Sequence, residues 1–287
     1  MNVTIEQRVA MESSHHLLAH LKQFSVTLLS TAGTENQNGW EIFSGTLVRV
    51  GSRVLVATAS HALDDPNPGH YRVLADRPSH KDNWVKLIRV GRTETGGPDV
   101  GFLEIDPQTL TLLPKKSPCP LTRLHVRRDT SENRLVSLVG APFALADTVS
   151  SSQGKILAAQ SMFYSTYTVP FDDVKISEPQ PPLDKNIDIL LEYPAEAAET
   201  IRLDTHAQFP LPHPHGMSGG AIWDQNFEPQ LWSPESAILV GIQCAWFEDS
   251  RYLRAVQIVH WLRLLHKAYQ DLRPLLDKTY SGCLRKV

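Results

Sequence analysis

From Phe24 the chain changes to short β-type runs separated by turn-rich pieces, and that pattern sharply limits the folds open to it. "SVTLLST", "WEIFSGTLVRV", "RVLVATAS", "YRVLAD" and "WVKLIRVG" are rich in β-branched and aromatic side chains, and turn-forming pieces such as "DDPNPG" and "TETGGPD" separate them. Strands this short, recurring at this spacing, predict an antiparallel barrel or sandwich.

The rest of the chain is read around that unit. Near the start, Thr4 and Gln7 fit a capping box, and Ile5, Val9, Leu17, Leu18 and Leu21 follow helical spacing, which predicts a helix packed on the body. "LLPKKSPCPL" reads as a link, and "RLVSLVGAPF" opens a second β series. "SEPQPPLDKN" is excluded from interior strand because proline removes a ladder donor. "AILVGIQCAWF" and "YLRAVQIVHWL" continue the series, the latter passing into a helix through about Leu275. The expected class is all-β, organised as a helical extension (1–23), a first β unit (24–113) and a second (114–287) closed by a C-terminal helix. No repeat at solenoid spacing is present.

Composition narrows the function. Of 287 residues, 41% are hydrophobic and 21% charged, which suits a globular chain with one large core or two smaller ones. A formal charge of -3 offers no electrostatic reason to bind nucleic acid or an anionic membrane surface. Cys119, Cys244 and Cys283 are odd in number and lack CxxC spacing, so reduced thiols are expected rather than a disulfide framework or a cysteine zinc site. The first residues lack a basic start followed by an apolar run, and no apolar stretch approaches the ~20 residues of a membrane helix. The expected setting is cytoplasmic.

The chemistry centres on "HPHGMSGGAIWD", residues 213 to 224. Adjacent glycines belong where backbone turns sharply or comes close to something, and Ser218 sits among them. A serine hydroxyl becomes a nucleophile only when a base takes its proton, and histidine has the suitable pKa. Among twelve histidines, His61 stands at the end of "VLVATAS", where a strand end presents a ring rigidly. Asp99, at the turn-to-strand junction "GGPDVGFLEI", is the carboxylate placed to hold that ring. Each has a plainer reading alone: "SGG" as a turn, His61 as a strand end, Asp99 as a turn residue. His213 and His215, two ligands separated by a proline, are insufficient for a metal site, and none is expected.

Three segments carry a resemblance. "LVATASHAL" is similar to a family segment with a T-A-A-H core, "PDVGFLEI" to D-[IL]-A-[LV], and "GMSGGA" to G-x-S-G-G-P, in the order His61, Asp99, Ser218. This resembles the trypsin-like (chymotrypsin-fold) serine peptidase family, over roughly residues 24 to 270. The resemblance implies two six-stranded antiparallel β-barrels with N- and C-terminal helices. His61 and Asp99 would come from the first barrel, Ser218 from the second. It implies an intracellular endopeptidase that works through an acyl-enzyme on a restricted set of protein or peptide targets, without a cofactor. A dedicated target or activating partner fits the cytoplasmic setting. The N–H groups of Gly216 and Ser218 would form the oxyanion hole.

Departures qualify the likeness. Met217 stands where digestive members carry an aspartate, so activation by a newly cut N-terminus is not expected. Ala221 replaces a proline, and Cys244 a serine that supports the aspartate. Pro212, His213, Cys244, Trp246 and Ser250 align with the specificity pocket. With no aspartate at its base, a strong Arg or Lys preference is not expected. His213 and His215 accommodate an acidic residue or line the rim, and Trp246 narrows or covers the pocket. Two alternatives stay open: a catalytically silent binding module of the same fold, and an esterase using the same triad.

Overall fold

The structure, a computed structural model, describes residues 5–30, 41–74, 85–126, 133–151, 154–159, 161–171, 174, 182–194, 200–201, 208–226 and 232–284. Helix α1 (Ile5–Lys22) buries Leu17 and Leu21, one turn apart, and the chain leaves it through buried Phe24, whose ring stacks on Trp223 at 5.5 Å. Arg123 contacts His20 and donates to the carbonyls of Pro234 and Ala237, tying the helix to the body. Thr4 of the capping box lies outside the described residues.

The first β unit holds β1 (Ser25–Ser30), β2 (Glu41–Val50), β3 (Arg53–Thr58), β4 (Tyr71–Leu74), β5 (Leu87–Arg92) and β6 (Gly101–Ile105). They pair antiparallel in the order β4-β1-β2-β3-β6-β5. The link between halves contributes a seventh short strand, β7 (Cys119–Pro120), which pairs parallel to β2. Val26, Leu47, Val54, Val56 and Leu103 fill this unit, as their alternation along the strands requires.

The second unit follows with β8 (Leu135–Gly140), β9 (Ala146–Ser151), β10 (Gly154–Ala159), β11 (Met162–Tyr167), β12 (Asp188–Glu192), β13 (Thr200–Ile201), β14 (Gln208–Phe209), β15 (Ala221–Asp224), β16 (Ile238–Phe247) and β17 (Tyr252–Gln257). Six of these form an antiparallel sheet in the order β11-β8-β15-β16-β17-β12, while β9–β10 and β13–β14 are separate ribbons. A bridge between Thr168 and Leu191 joins the two edges of that sheet. Bulges at Ile222/Trp223 and Gln243/Ala245 sharpen its curl. Inside it, Asp188 accepts two 2.8 Å hydrogen bonds from Arg254, a buried ion pair between neighbouring strands. The expected architecture, two six-stranded antiparallel units with a helix at each end, is what the chain forms.

A further apolar cluster lies between the units and includes Leu55, Ala57, Val139, Ala221 and Trp223. Helix α2 (Ile258–Ala268) leaves β17 and crosses back to the first unit, where buried Trp261 donates its indole N–H to the Gly101 carbonyl at 3.0 Å. The expected single C-terminal helix is in fact two: Gln270–Leu272 forms a tight turn and α3 (Arg273–Thr279) begins afresh with Pro274 in its first turn. Proline lacks the N–H that a continuous helix needs and is tolerated only at such a start. Among the described residues no helix is long and apolar enough to cross a membrane.

Candidate active site

Strand β3 ends at Thr58 and the chain enters a tight turn, Ser60–Leu63, anchored by buried Ala62 and Leu63. That anchoring directs His61 outward, where 44% of its side chain is exposed. Asp99 approaches from the turn before β6. Its Oδ1 accepts the backbone N–H of Ser60 at 2.7 Å and of His61 at 3.0 Å, and its Oδ2 lies 2.6 Å from His61 Nδ1. The carboxylate is therefore oriented by two amides that cannot rotate away. With Nδ1 carrying the proton toward Asp99, Nε2 is left as the proton acceptor.

The two groups hold each other's charge. Burial alone disfavours the imidazolium, but the Asp99 hydrogen bond and the charges of Asp99, Asp64 and Glu41 outweigh it and raise the His61 pKa. Burial likewise disfavours the Asp99 carboxylate, yet bonds from His61 and from the Ser60 and His61 amides bring its pKa below the usual carboxylate value.

Ser218 is delivered by a turn stitched to both β units. Met217 N–H donates to Pro214 O, Gly220 N–H to Met217 O, and Gly219 N–H to Gln243 O on β16. The Ser218 carbonyl accepts from Ser44 N–H of β2 at 2.8 Å, crossing to the first unit. Gly219 makes the crossing possible: its φ is +88°, and a Cβ there would fall 2.0 Å from Ser44 O and 2.1 Å from Thr58 Oγ1. Ser44 also holds the preceding glycine, for its hydroxyl donates to Gly216 O at 3.0 Å while accepting from Ala141 N–H at 2.8 Å. Next to Ser44, the Phe43 ring stands edge-on to the His61 ring at 6.1 Å. These contacts join the Ser218 turn to the strand whose Phe43 lies against His61, and the Ser218 hydroxyl makes no hydrogen bond among the described residues. Such bonds are commonly long in unliganded sites and tighten with substrate.

The same turn leaves amides spare. Gly216 has φ +91°, which a side chain rarely tolerates, and a Cβ there would meet Ala141 O and Phe143 N at 2.8 Å. Neither the Gly216 N–H nor the Ser218 N–H has an acceptor among the described residues. Two unpaired donors on one rigid turn are what stabilises a developing oxyanion.

The five aligned pocket residues separate into groups. His213 and Trp246 are in contact, edge to face at 4.6 Å, and the Trp246 indole N–H is buried without a partner among the described residues. His213 Nδ1 accepts from His215 N–H at 3.2 Å, and Pro212 O accepts from Tyr193 Oη at 2.7 Å. Ser250 lies beyond, in the β16–β17 hairpin, with its hydroxyl donating to Phe247 O. Cys244 is buried and its thiol turns to Arg254 O, while the Asp99 carboxylate is oriented by the Ser60 and His61 amides. Burial pushes the Cys244 thiol pKa well up, which makes it inert. Met217 is buried, its sulfur 3.8 Å from Tyr193 Oη. A cavity of about 690 Å³ opens beside Asp99 and Cys244, walled by Pro98, Phe171, Leu183, Ile187 and Ala245. Among the described residues no three His, Cys, Asp or Glu side chains are grouped to hold a metal ion.

Sequence reasoning missed Ser44, Thr58 and Phe143. A signal for Ser44 existed: in "EIFSGTLVRV" the face shared by Ile42, Val48 and Val50 also carries Ser44 and Thr46, two polar residues on a buried face. No protein-family profile matches the chain, and no curated protein matches it by sequence. Among solved structures it is similar to a thermostable serine protease, AL20, from an extremophilic microorganism, with 11% identity over 83% of this chain and 92% of that one, TM-score 0.45. It is similar to the protease Anisep from Arthrobacter nicotinovorans, with 12% identity over 82% and 90%, TM-score 0.45. It is also similar to a Glu endopeptidase solved in complex with MPD, with 14% identity over 88% and 93%, TM-score 0.45.

Proposed function

We propose that the chain is a serine endopeptidase in which residues 24–113 supply His61 and Asp99 and residues 114–287 supply Ser218. The observation that carries this reading is the Ser218 turn, which is hydrogen-bonded into the strand beside His61 while keeping the Gly216 and Ser218 amides unpaired. Ser218 Oγ attacks the substrate carbonyl as His61 Nε2 takes its proton. The oxyanion is stabilised by the two amides, and Asp99 stabilises the imidazolium. His61 then protonates the leaving amine, and water repeats the sequence on the acyl-enzyme. Removing one oxyanion donor costs about 10²–10³ in turnover in sites of this kind.

The pocket groups support a substrate residue other than Arg or Lys, since His213 and Trp246 offer aromatic rings rather than a carboxylate. A second reading, a silent binding module, draws support from the missing hydrogen bond to the Ser218 hydroxyl. A fluorophosphonate probe separates the two. Intact mass is expected to show one adduct on the wild type and none on Ser218→Ala or His61→Ala. A wild type that stays unlabelled, or labelling that survives Ser218→Ala, refutes the catalytic reading.

A further inference from the structure

His61 and Asp99 stand on two segments of the first unit, the turn Ser60–Leu63 and the turn before β6, and Gly101 is where those segments touch. Gly101 opens β6 two residues past Asp99 and pairs with Thr58, the last residue of β3. A Cβ on Gly101 would fall 2.7 Å from Leu63 Cδ1 and 3.4 Å from Ser60 Cα, so the backbone of β6 lies flush on the turn that carries His61.

Gly101 O accepts the indole N–H of Trp261 at 3.0 Å. Trp261 is fully buried and belongs to the same apolar cluster as Ala59 and Val100, the residues just before Ser60 and just after Asp99. Its helix, α2, begins where β17 ends. β17 pairs with β16, whose Gln243 O takes the Gly219 N–H beside Ser218. The sheet that anchors the serine turn therefore sends one hydrogen bond back to the strand that follows Asp99. Val259, Leu262 and Leu265, buried on α2, anchor the helix that delivers it.

We infer that Trp261 is a positioning residue for the His61–Asp99 pair: its indole N–H fixes Gly101, and Gly101 sets how closely the His61 turn and Asp99 meet. This rests on the catalytic reading above. The three Asp99 bonds, to the Ser60 and His61 amides and to His61 Nδ1, span 2.6 to 3.0 Å, where a few tenths of an ångström weaken them. Without the Trp261 bond a buried carbonyl loses its donor and the start of β6 is free to shift. A loosened Asp99 raises the His61 pKa less, while Glu41 and Asp64, the latter paired with Arg92, still act on the ring.

Trp261→Phe removes the N–H and keeps an aromatic ring. With p-nitrophenyl acetate, kcat is expected to fall about tenfold with KM little changed, and the acid limb of kcat/KM to move down toward 6.5. An NMR titration of the His61 ring reads the same displacement without turnover. Tyr280→Phe controls for the loss of a buried donor: that hydroxyl donates to Leu121 O at 2.7 Å and Leu124 O at 3.1 Å, in the same cluster but on the link between the units. It is expected to lower the melting temperature and leave the limb in place. Gly101→Ala pushes on the His61 turn directly and is expected to move the limb the same way, which tests the relay even where Trp261→Phe does not fold. A limb that stays put in folded Trp261→Phe or in Gly101→Ala, or that moves as far in Tyr280→Phe, overturns the inference while leaving catalysis standing. Nitrophenolate release that is the same in Ser218→Ala overturns the catalytic reading and the inference with it.

Discussion

Ser44→Ala removes one oxygen from a fully buried site and leaves two backbone groups without partners. In the native chain the hydroxyl bridges Ala141 N–H at 2.8 Å and Gly216 O at 3.0 Å, joining segments 97 and 172 residues away. Each orphaned buried group costs about 1–3 kcal/mol in lost hydrogen bonding and desolvation, so the substitution is expected to destabilise the fold by about 2–6 kcal/mol. Function responds separately, because on the catalytic reading proposed above Gly216 supplies an oxyanion donor, and Ser44 fixes the turn around it by holding the carbonyl of the same residue. A donor that wanders helps the transition state less than the ground state, so kcat is expected to fall about tenfold or more with KM little changed. Urea unfolding reads the first quantity, and steady-state hydrolysis of an ester substrate the second. A stability loss under about 0.5 kcal/mol with kcat intact refutes the assignment of Ser44 as the positioning residue of the oxyanion turn.

The remaining predictions concern charge and close packing. Activity needs neutral His61, and its raised pKa places the acid limb of kcat/KM above the ordinary value of 6.5; Asp99→Asn moves that limb down and lowers kcat by about 10⁴, measured across pH 5 to 9. The stability side has opposite signs for the partners: the His61 contribution is full below 6.5 and fades as pH rises through its raised pKa, whereas that of Asp99 is present above 3.8 and is lost as pH falls through its lowered one. Thermal melts of wild type and His61→Ala across that range check the direction. Gly219→Ala forces a Cβ to within 2.0 Å of Ser44 O at φ +88° and is expected to destabilise by about 2–5 kcal/mol, read by urea denaturation. Asp188→Ala leaves the Arg254 charge buried and is expected to cost about 3–5 kcal/mol by the same assay.

Much of this protein is local and was therefore legible without the fold. The β-branched, apolar run "RVLVATAS" marks β3 and places His61 just past its end, because strand propensity and turn chemistry depend mainly on neighbours in the chain. The glycines around Ser218 read correctly for the same reason: Gly216 and Gly219 have φ values of +91° and +88° that few other residues tolerate. The break between α2 and α3 was readable too, in Pro274, yet apolar periodicity continuing to Leu275 masked it. What tertiary structure alone decided are contacts between segments far apart. That Cys244 turns to Arg254 O and that two amides orient Asp99 depend on segments of one unit packing together, and that Ser44 ties Gly216 O to Ala141 N–H depends on two β units meeting. A hydrogen bond across 172 residues has no period and no local signature, since its geometry exists only once both units have folded and docked.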